Sequence, residues 1–446
     1  MNSYIKERKH MPQWVQHIAL IVVFFTTLLP AANSSVKDPV RSRPTSLSRS
    51  SSYFSKNNIS IPLSTEVEPI LPVWPKELIK LYDTISITFI GDVMQHGVQI
   101  KNALIPGKDP SDGNSYDYSS AFKYLQSRFE EADIAVANME FTLGSLPYTG
   151  YPQFSAPEAI AVQAKKSGIN LFLLANNHIL DKGESGLEKS LTIYDSIGVR
   201  YTGVYRDSCA EANSNPMIIE SKGVKIAFIN FTYGTNGFRT PEPYIINRMD
   251  SIKVKETVQR AKERGANMII ALPHWGDEYQ LQPNGMQRKW ARMLFNNGVK
   301  AIIGSHPHVP QTAEIHLTGS HHPRRYGEVD RLVFYSLGNY ISNQSNPDYT
   351  QVGMLVSIKI VKNNLSGEVT LSGPKWEYLW CFRKNELESH YTVVPIEEFI
   401  DGVNNSYSRF VKNEKEASRI KNSTHYQRMV KTFEYIRSLK AVKIIP

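Results

Sequence analysis

Between Ile85 and Tyr340 the chain repeats one pattern: a short run of β-branched or apolar residues that stops abruptly at a polar cluster. The runs are ISITFIGD, ADIAVANME, INLFLLANNH, NMIIALPHWG, VKAIIGSHPH and RLVFYSLGN. Continuous apolar runs four to eight residues long predict strands buried on both faces. Stretches with helical spacing lie between several of them, at Pro157–Ser167, Gly186–Ile197, Val254–Arg264 and Gln287–Asn296. Strand alternating with helix predicts an α/β fold, a sheet with many parallel neighbours and helices outside it. In such sheets ligands collect at the carboxyl ends of the strands.

The residues at those ends are Asp92; Asn138 and Glu140; Asn176, Asn177, His178 and Asp181; His274; and His306 and His308. Singly each has a plain structural use: Asp92 as a helix cap, Glu140 as a solvated loop acid, His274 as a satisfied core histidine. Five polar termini at successive strand ends converge on one edge and supply oxygen and imidazole without thiolate. That donor set suits Zn, Mn or Fe, bound singly or as a pair. In His306-Pro307-His308 an extended backbone puts alternate side chains on one side, so both imidazoles are expected to face the same way. His96, His316, His321 and His322 are assigned to surface or loop positions. Two cysteines, Cys209 and Cys381, are too few for a thiolate metal module.

The ends of the chain differ from its middle. Lys6, Arg8 and Lys9 precede the uncharged run Ile18–Ala32, which is followed by small residues, so residues 1–34 are expected to be a signal peptide or an N-terminal membrane anchor. No cysteine lies near the cleavage region to carry a lipid. Residues 35–80 read as a Ser/Arg/Pro-rich linker, 81–400 as the folded domain, and 401–446 as a basic helical extension in which Tyr426, Met429, Val430, Phe433 and Ile436 recur at helical spacing. The net charge of +9 is terminal: residues 1–52 carry +5 and 402–446 carry +7, leaving −3 for the centre. The central domain therefore has no charge basis for holding nucleic acid, and basic ends suit an anionic membrane surface. The expected location is extracytoplasmic: secreted, periplasmic or held at the membrane by the N-terminus.

At FIGDVM (89–94), ANMEFTLG (137–144), LANNHILDKGESGL (174–187), GVRYTGVYRD (198–207), LPHWGDEY (272–279), GSHPHVPQ (304–311), FYSLGNYI (334–341) and YTVVPIEEF (391–399) the chain resembles the bacterial capsule-synthesis family, the CapA-type poly-γ-glutamate biosynthesis proteins. These are in turn similar to calcineurin-like metallophosphoesterases. The resemblance implies a four-layer α/β/β/α sandwich with metal at the top of two packed sheets. It implies Asp92, Glu140, Asn177, His274, His306 and His308 as metal ligands, with Glu140 in the place of a bridging acid. It also implies His178 as the general acid, with Asp181 beside it. Two positions depart from the phosphoesterase pattern: Met94 stands where a histidine ligand is usual, and Glu140 where an Asp is usual. One tight divalent site with a weaker second is therefore expected. The resemblance points to an anionic envelope polymer or its precursor as the material handled, and to membrane polymer-synthase subunits as partners. Two functions fit: a metal-dependent hydrolase or transferase, and a non-catalytic subunit of a polymer-synthesis or export complex.

Overall fold

The structure is a computed structural model that describes residues 81–317, 328–383 and 390–445. The expected signal or anchor, the linker before Leu81, and His321 and His322 lie outside the described residues. No helix among the described residues is long and apolar enough to cross a membrane.

Fifteen strands share one hydrogen-bonded sheet. In chain order they are β1 (Tyr82–Val93), β2 (Ile134–Met139), β3 (Leu171–Leu173), β4 (Arg200–Thr202), β5 (Met217–Ser221), β6 (Val224–Thr232), β7 (Met268–His274), β8 (Ala301–Ile303), β9 (Ala313–Leu317), β10 (Glu328–Phe334), β11 (Asn339–Ile341), β12 (Val352–Asn363), β13 (Val369–Phe382), β14 (Thr392–Pro395) and β15 (Val442–Ile445). The main order is β4-β3-β2-β1-β12-β13-β10-β8-β7-β6-β5. The first four strands are mutually parallel, as are β10, β8, β7 and β6. The long antiparallel strands β12 and β13 join the two parallel sets.

The two sets close on each other. One apolar cluster takes Ile87 and Phe89 from β1, Val136 from β2 and Leu171 from β3, and packs them with Phe228 from β6, Ile270 from β7, Ile303 from β8 and Phe334 from β10. The outer face of the first set is covered by α2 (Ala159–Lys166) and α3 (Gly183–Ile197) through Ile160, Ala164, Leu187 and Leu191. The outer face of the second is covered by α4 (Ser251–Glu263) and α5 (Gly285–Asn296) through Val254, Val258, Trp290 and Leu294. Helix, sheet, sheet and helix make the four layers expected from the resemblance. All four helices fall where the sequence spacing put them. Alternate residues of β1 divide between faces, Ile87 and Phe89 inward and Ile90 toward the helices, as the twofold period of a strand requires.

Two close backbone approaches draw the strand ends together. A Cβ on Gly91 would stand 1.8 Å from Gly338 O, and one on Gly304 would stand 2.1 Å from Tyr335 O. Only glycine permits these contacts. The pairing of β1 with β2 shifts register between Ile90 and Asp92, a bulge that re-aims the strand end.

Residues beyond 400 pack into the same body. Helices α6 (Ile396–Asn404), α7 (Glu414–Lys421) and α8 (Thr424–Ser438) lay Phe399, Ile420, Met429 and Phe433 against Val352, Trp380, Phe382 and Val394, and β15 pairs with β9. Burying one such side chain contributes about 1.5–3 kcal/mol. Deletion of residues 401–446 is therefore expected to lower the thermal midpoint by more than about 5 °C or to abolish the cooperative transition. An unchanged midpoint by calorimetry would refute this structural role.

Candidate metal centre and proton-transfer site

The donor residues meet where the two parallel sets abut. Asp92 ends β1 and is fully buried, and Glu140, one residue past β2, is fully buried beside it. Asn138 ties the carboxylates together: its Nδ2 donates to Asp92 Oδ1 at 2.8 Å and to Glu140 Oε2 at 3.1 Å. From the other set, His308 Nδ1 lies 3.0 Å from Asp92 Oδ2, and the His306 backbone N–H donates to the same carboxylate at 3.3 Å. His274, the last residue of β7, has Nε2 2.8 Å from Asn177 Oδ1 and 3.6 Å from Glu140 Oε1, and Nδ1 2.9 Å from Ser305 Oγ. The six expected metal ligands thus form one buried cluster.

The His306-Pro307-His308 segment departs from expectation. It is not extended: His306 has φ +97° and His308 φ +59°. The rings come within 5.8 Å of each other through a turn rather than through strand alternation. The turn is imposed from both sides, because Ser305 exchanges backbone hydrogen bonds with β7 and its continuation at Trp275, and Tyr279 N–H donates to Pro307 O. A non-glycine residue at positive φ costs of order 1–3 kcal/mol and persists where its surroundings over-determine it.

The cluster's electrostatics favour a cation. Burial, then the neighbouring Asp92, pushes the Glu140 carboxyl well above its usual range. Burial, then neighbouring imidazoles, holds His274 and His306 well below theirs, leaving lone pairs free for coordination at neutral pH. Among the described residues, the ion pairs of Asp92 and Glu140 are to histidine alone. Glu140 Oε1 and His306 Nδ1 are buried without a hydrogen-bond partner. Orphaned buried oxygen and nitrogen in a set with no thiolate fit a divalent ion.

Two triads have donor atoms within 4.8 Å of one another: Glu140 with His306 and His308, and Asp92 with Glu140 and His274. Glu140 belongs to both. Met94 offers nothing to either triad, being packed in the apolar core under α2 and α3.

His178 stands beside this cluster on a separate mount. Its Nδ1 lies 2.7 Å from Asp181 Oδ2, and the same oxygen accepts the Phe154 backbone N–H at 2.7 Å. Phe154 packs edge-on against the imidazole, with centroids 4.6 Å apart. Asn236 reaches both groups, its Oδ1 accepting from Asn177 Nδ2 at 3.2 Å and its Nδ2 lying 3.3 Å from His178 Nδ1. The sequence reading missed Asn236, although the run VKIAFINFT ending in YGTNG has the same look as the six runs it used. His96, assigned there to a surface or loop position, lies in the loop before α1 (Gly97–Ala103) and caps it half-buried, its ring 5.2 Å from that of Phe154.

A four-layer α/β/β/α body with oxygen and imidazole donors at its strand ends is a metallophosphoesterase-like domain. Within that class, the chain belongs to the bacterial capsule synthesis protein family PGA_cap, whose family model matches residues 86–344, more than half of the chain and all of the cluster. It is 25% identical over 292 residues to the capsule biosynthesis protein CapA of Bacillus anthracis, covering 62% of this chain and 63% of that one. It is 28% identical over 279 residues to the PGA biosynthesis protein CapA of Bacillus subtilis, covering 59% and 64% respectively. The chain thus spans less than two thirds of the length of these curated relatives. Among solved structures it is similar to the NAD nucleotidase of Haemophilus influenzae (TM-score 0.40, 13% identity, 81% of this chain and 64% of that one). It is also similar to a calcineurin-like phosphoesterase of Bacillus subtilis (TM-score 0.37, 16% identity, 80% and 99%).

Elemental analysis of purified variants tests the sharing of Glu140. Glu140→Ala is expected to lose nearly all bound divalent metal, and His274→Ala only the share of the Asp92 triad. His306→Gly should lose the share of the other triad yet unfold no more easily than wild type, since glycine relieves about 1 kcal/mol or more of backbone strain. Equal residual metal in Glu140→Ala and His274→Ala would refute a shared carboxylate.

Proposed function

We propose that the protein is an extracytoplasmic metal-dependent hydrolase or transferase acting on an anionic envelope polymer of the poly-γ-glutamate type, or on its precursor. The observation that carries the reading is the pairing of a buried two-triad donor cluster with a separately anchored His178–Asp181 dyad. Membership of the capsule synthesis family supports the material, and the basic chain ends support a place at the membrane beside polymer-synthase subunits.

Asp92, Glu140, Asn177, His274, His306 and His308 would hold the metal. A bound divalent ion supplies Lewis acidity to an acyl or phosphoryl oxygen. The rest follows from the chain's own groups. The Asp181 carboxylate engages Nδ1 of His178, fixing the tautomer and leaving Nε2 to take up or release a proton. The Phe154 amide holds that carboxylate in place, so the imidazole cannot swing with it. His178 follows Asn177 directly, so one loop carries a donor into the cluster and a proton-transfer group beside it. Tyr233, whose ring centroid lies 4.5 Å from that of His306, shields the cluster and is itself kept protonated, its phenol pushed up to about 12 by burial and by Glu140. A purely structural subunit has no use for a carboxylate-braced histidine beside a cation site.

General acid–base assistance is worth about 10²–10⁴ in rate. His178→Ala is expected to retain metal and fold while losing activity on that scale against phosphodiester or γ-glutamyl substrates, and Asp181→Asn to lose less. Full activity in His178→Ala would remove its proposed role. A metal-loaded wild type inert on both substrate classes would favour the non-catalytic subunit.

A further inference from the structure

A cleft of about 800 Å³ opens beside the dyad, within the range of small-molecule sites. His96 and Asn343 line its inner end, and the Asn343 backbone N–H approaches His96 Nδ1 at 3.4 Å. His96 in turn contacts Phe154, which contacts His178, so two ring contacts connect the cleft lining to the proton-transfer group.

The chemistry of the lining is one-sided. Val98, Ile100, Leu104 and Leu146 supply aliphatic wall, and Tyr116 and Tyr148 supply rings. Several polar groups of the wall are engaged within the protein. Tyr116 Oη donates to Pro110 O at 2.7 Å, Tyr148 Oη to Glu158 Oε2 at 3.2 Å, and Ser111 Oγ to Asp109 Oδ1 at 2.8 Å. Asn343 Oδ1 accepts from Tyr391 Oη, and Thr149 Oγ1 donates to Gln153 O. Among the described residues Lys101 is the one formal cation of the lining, and the nearest carboxylates, Asp109 and Glu158, stand behind it on Ser111 and Tyr148. At the rim Val98, Leu146 and Tyr151 are 55%, 55% and 76% exposed, an apolar edge from which the Tyr151 ring reaches back to that of Phe154, centroids 6.4 Å apart.

A segment of polyglutamate would bring several carboxylates and amides against one lysine and walls with few free donors. We propose that the cleft binds instead an apolar chain bearing a single acidic group, an alkyl or acyl monoanion whose charge pairs with Lys101, as a ligand separate from the polymer. This goes beyond the proposed function, and the binding is read without turnover.

Isothermal titration of the purified full chain with octane-1-sulfonate, a monoanion that cannot be hydrolysed, tests it. Octyl glucoside serves as the neutral counterpart and a γ-glutamyl oligomer as competitor. Saturable one-to-one binding of the sulfonate is expected. Lys101→Glu should weaken it about five-fold, in keeping with an exposed ion pair, and leave the glucoside unchanged. Leu146→Trp and Val98→Trp, at exposed rim positions where bulk does not disturb the core, should each abolish both. The same results are expected in His306→Gly, which separates the cleft from the metal cluster. Absence of binding, binding indifferent to both tryptophans, or displacement by the γ-glutamyl oligomer in a Lys101-dependent way would each overturn the proposal. The last would mark the cleft as a polymer track. An inactive but sulfonate-binding protein would sink the hydrolase reading and leave the cleft standing, and the converse result would do the opposite.

Discussion

Asp92 and Glu140 are two carboxyl groups with no exposed surface, bridged by a single amide. Desolvating one carboxylate is costly and desolvating two together costs more, unless donors or a cation compensate. The architecture around them is organised by that requirement. Compensation comes from the Asn138 amide, the His306 backbone N–H and the imidazoles of His274 and His308, and these belong to both parallel sets. The ends of β1, β2, β7 and β8 must therefore meet. They can meet only if Gly91 and Gly304 let backbones touch and if His306 and His308 accept positive φ. Glu140 Oε1 is still without a hydrogen-bond partner after all of this, a position that a cation would fill.

Strand ends were readable from sequence because parallel strands buried on both faces appear as unbroken apolar runs, and the residue that breaks each run sits at the sheet edge. That logic located Asp92, Glu140, Asn177, His274, His306 and His308 without any knowledge of distance. It could not give the path of the backbone through His306 and His308. Their turn is dictated by β7 and by Tyr279, which are distant in sequence, and local pattern favoured the extended form. Asn236 was lost for a different reason: its side chain acts from a Gly-rich turn with no titratable group to attract notice. The long strands β12 and β13 were missed because exposed Lys359, Lys375 and Trp376 interrupt the apolar pattern, which is what an antiparallel strand with one partly solvated face looks like.

In the C-terminal segment the helical spacing read from the sequence appears as packing. Met429, Phe433 and Ile436 form one buried face of α8, while the lysines and arginines lie on the other. Net charge describes the solvent side of a helix and says nothing about whether the opposite side is needed by the fold.

The site divides into two parts held by different elements. The metal donors are mounted at strand ends fixed by the sheet and by close glycine contacts, so their mutual geometry has little freedom. His178 is braced by Asp181, Phe154 and Asn236, none of which lies in the fifteen-stranded sheet. Phe154 touches His96 on the cleft side and His178 on the reaction side, and its amide holds Asp181. One buried ring thus joins the cleft lining to the proton-transfer group, while the cluster of Asp92 and Glu140 is held by the sheet.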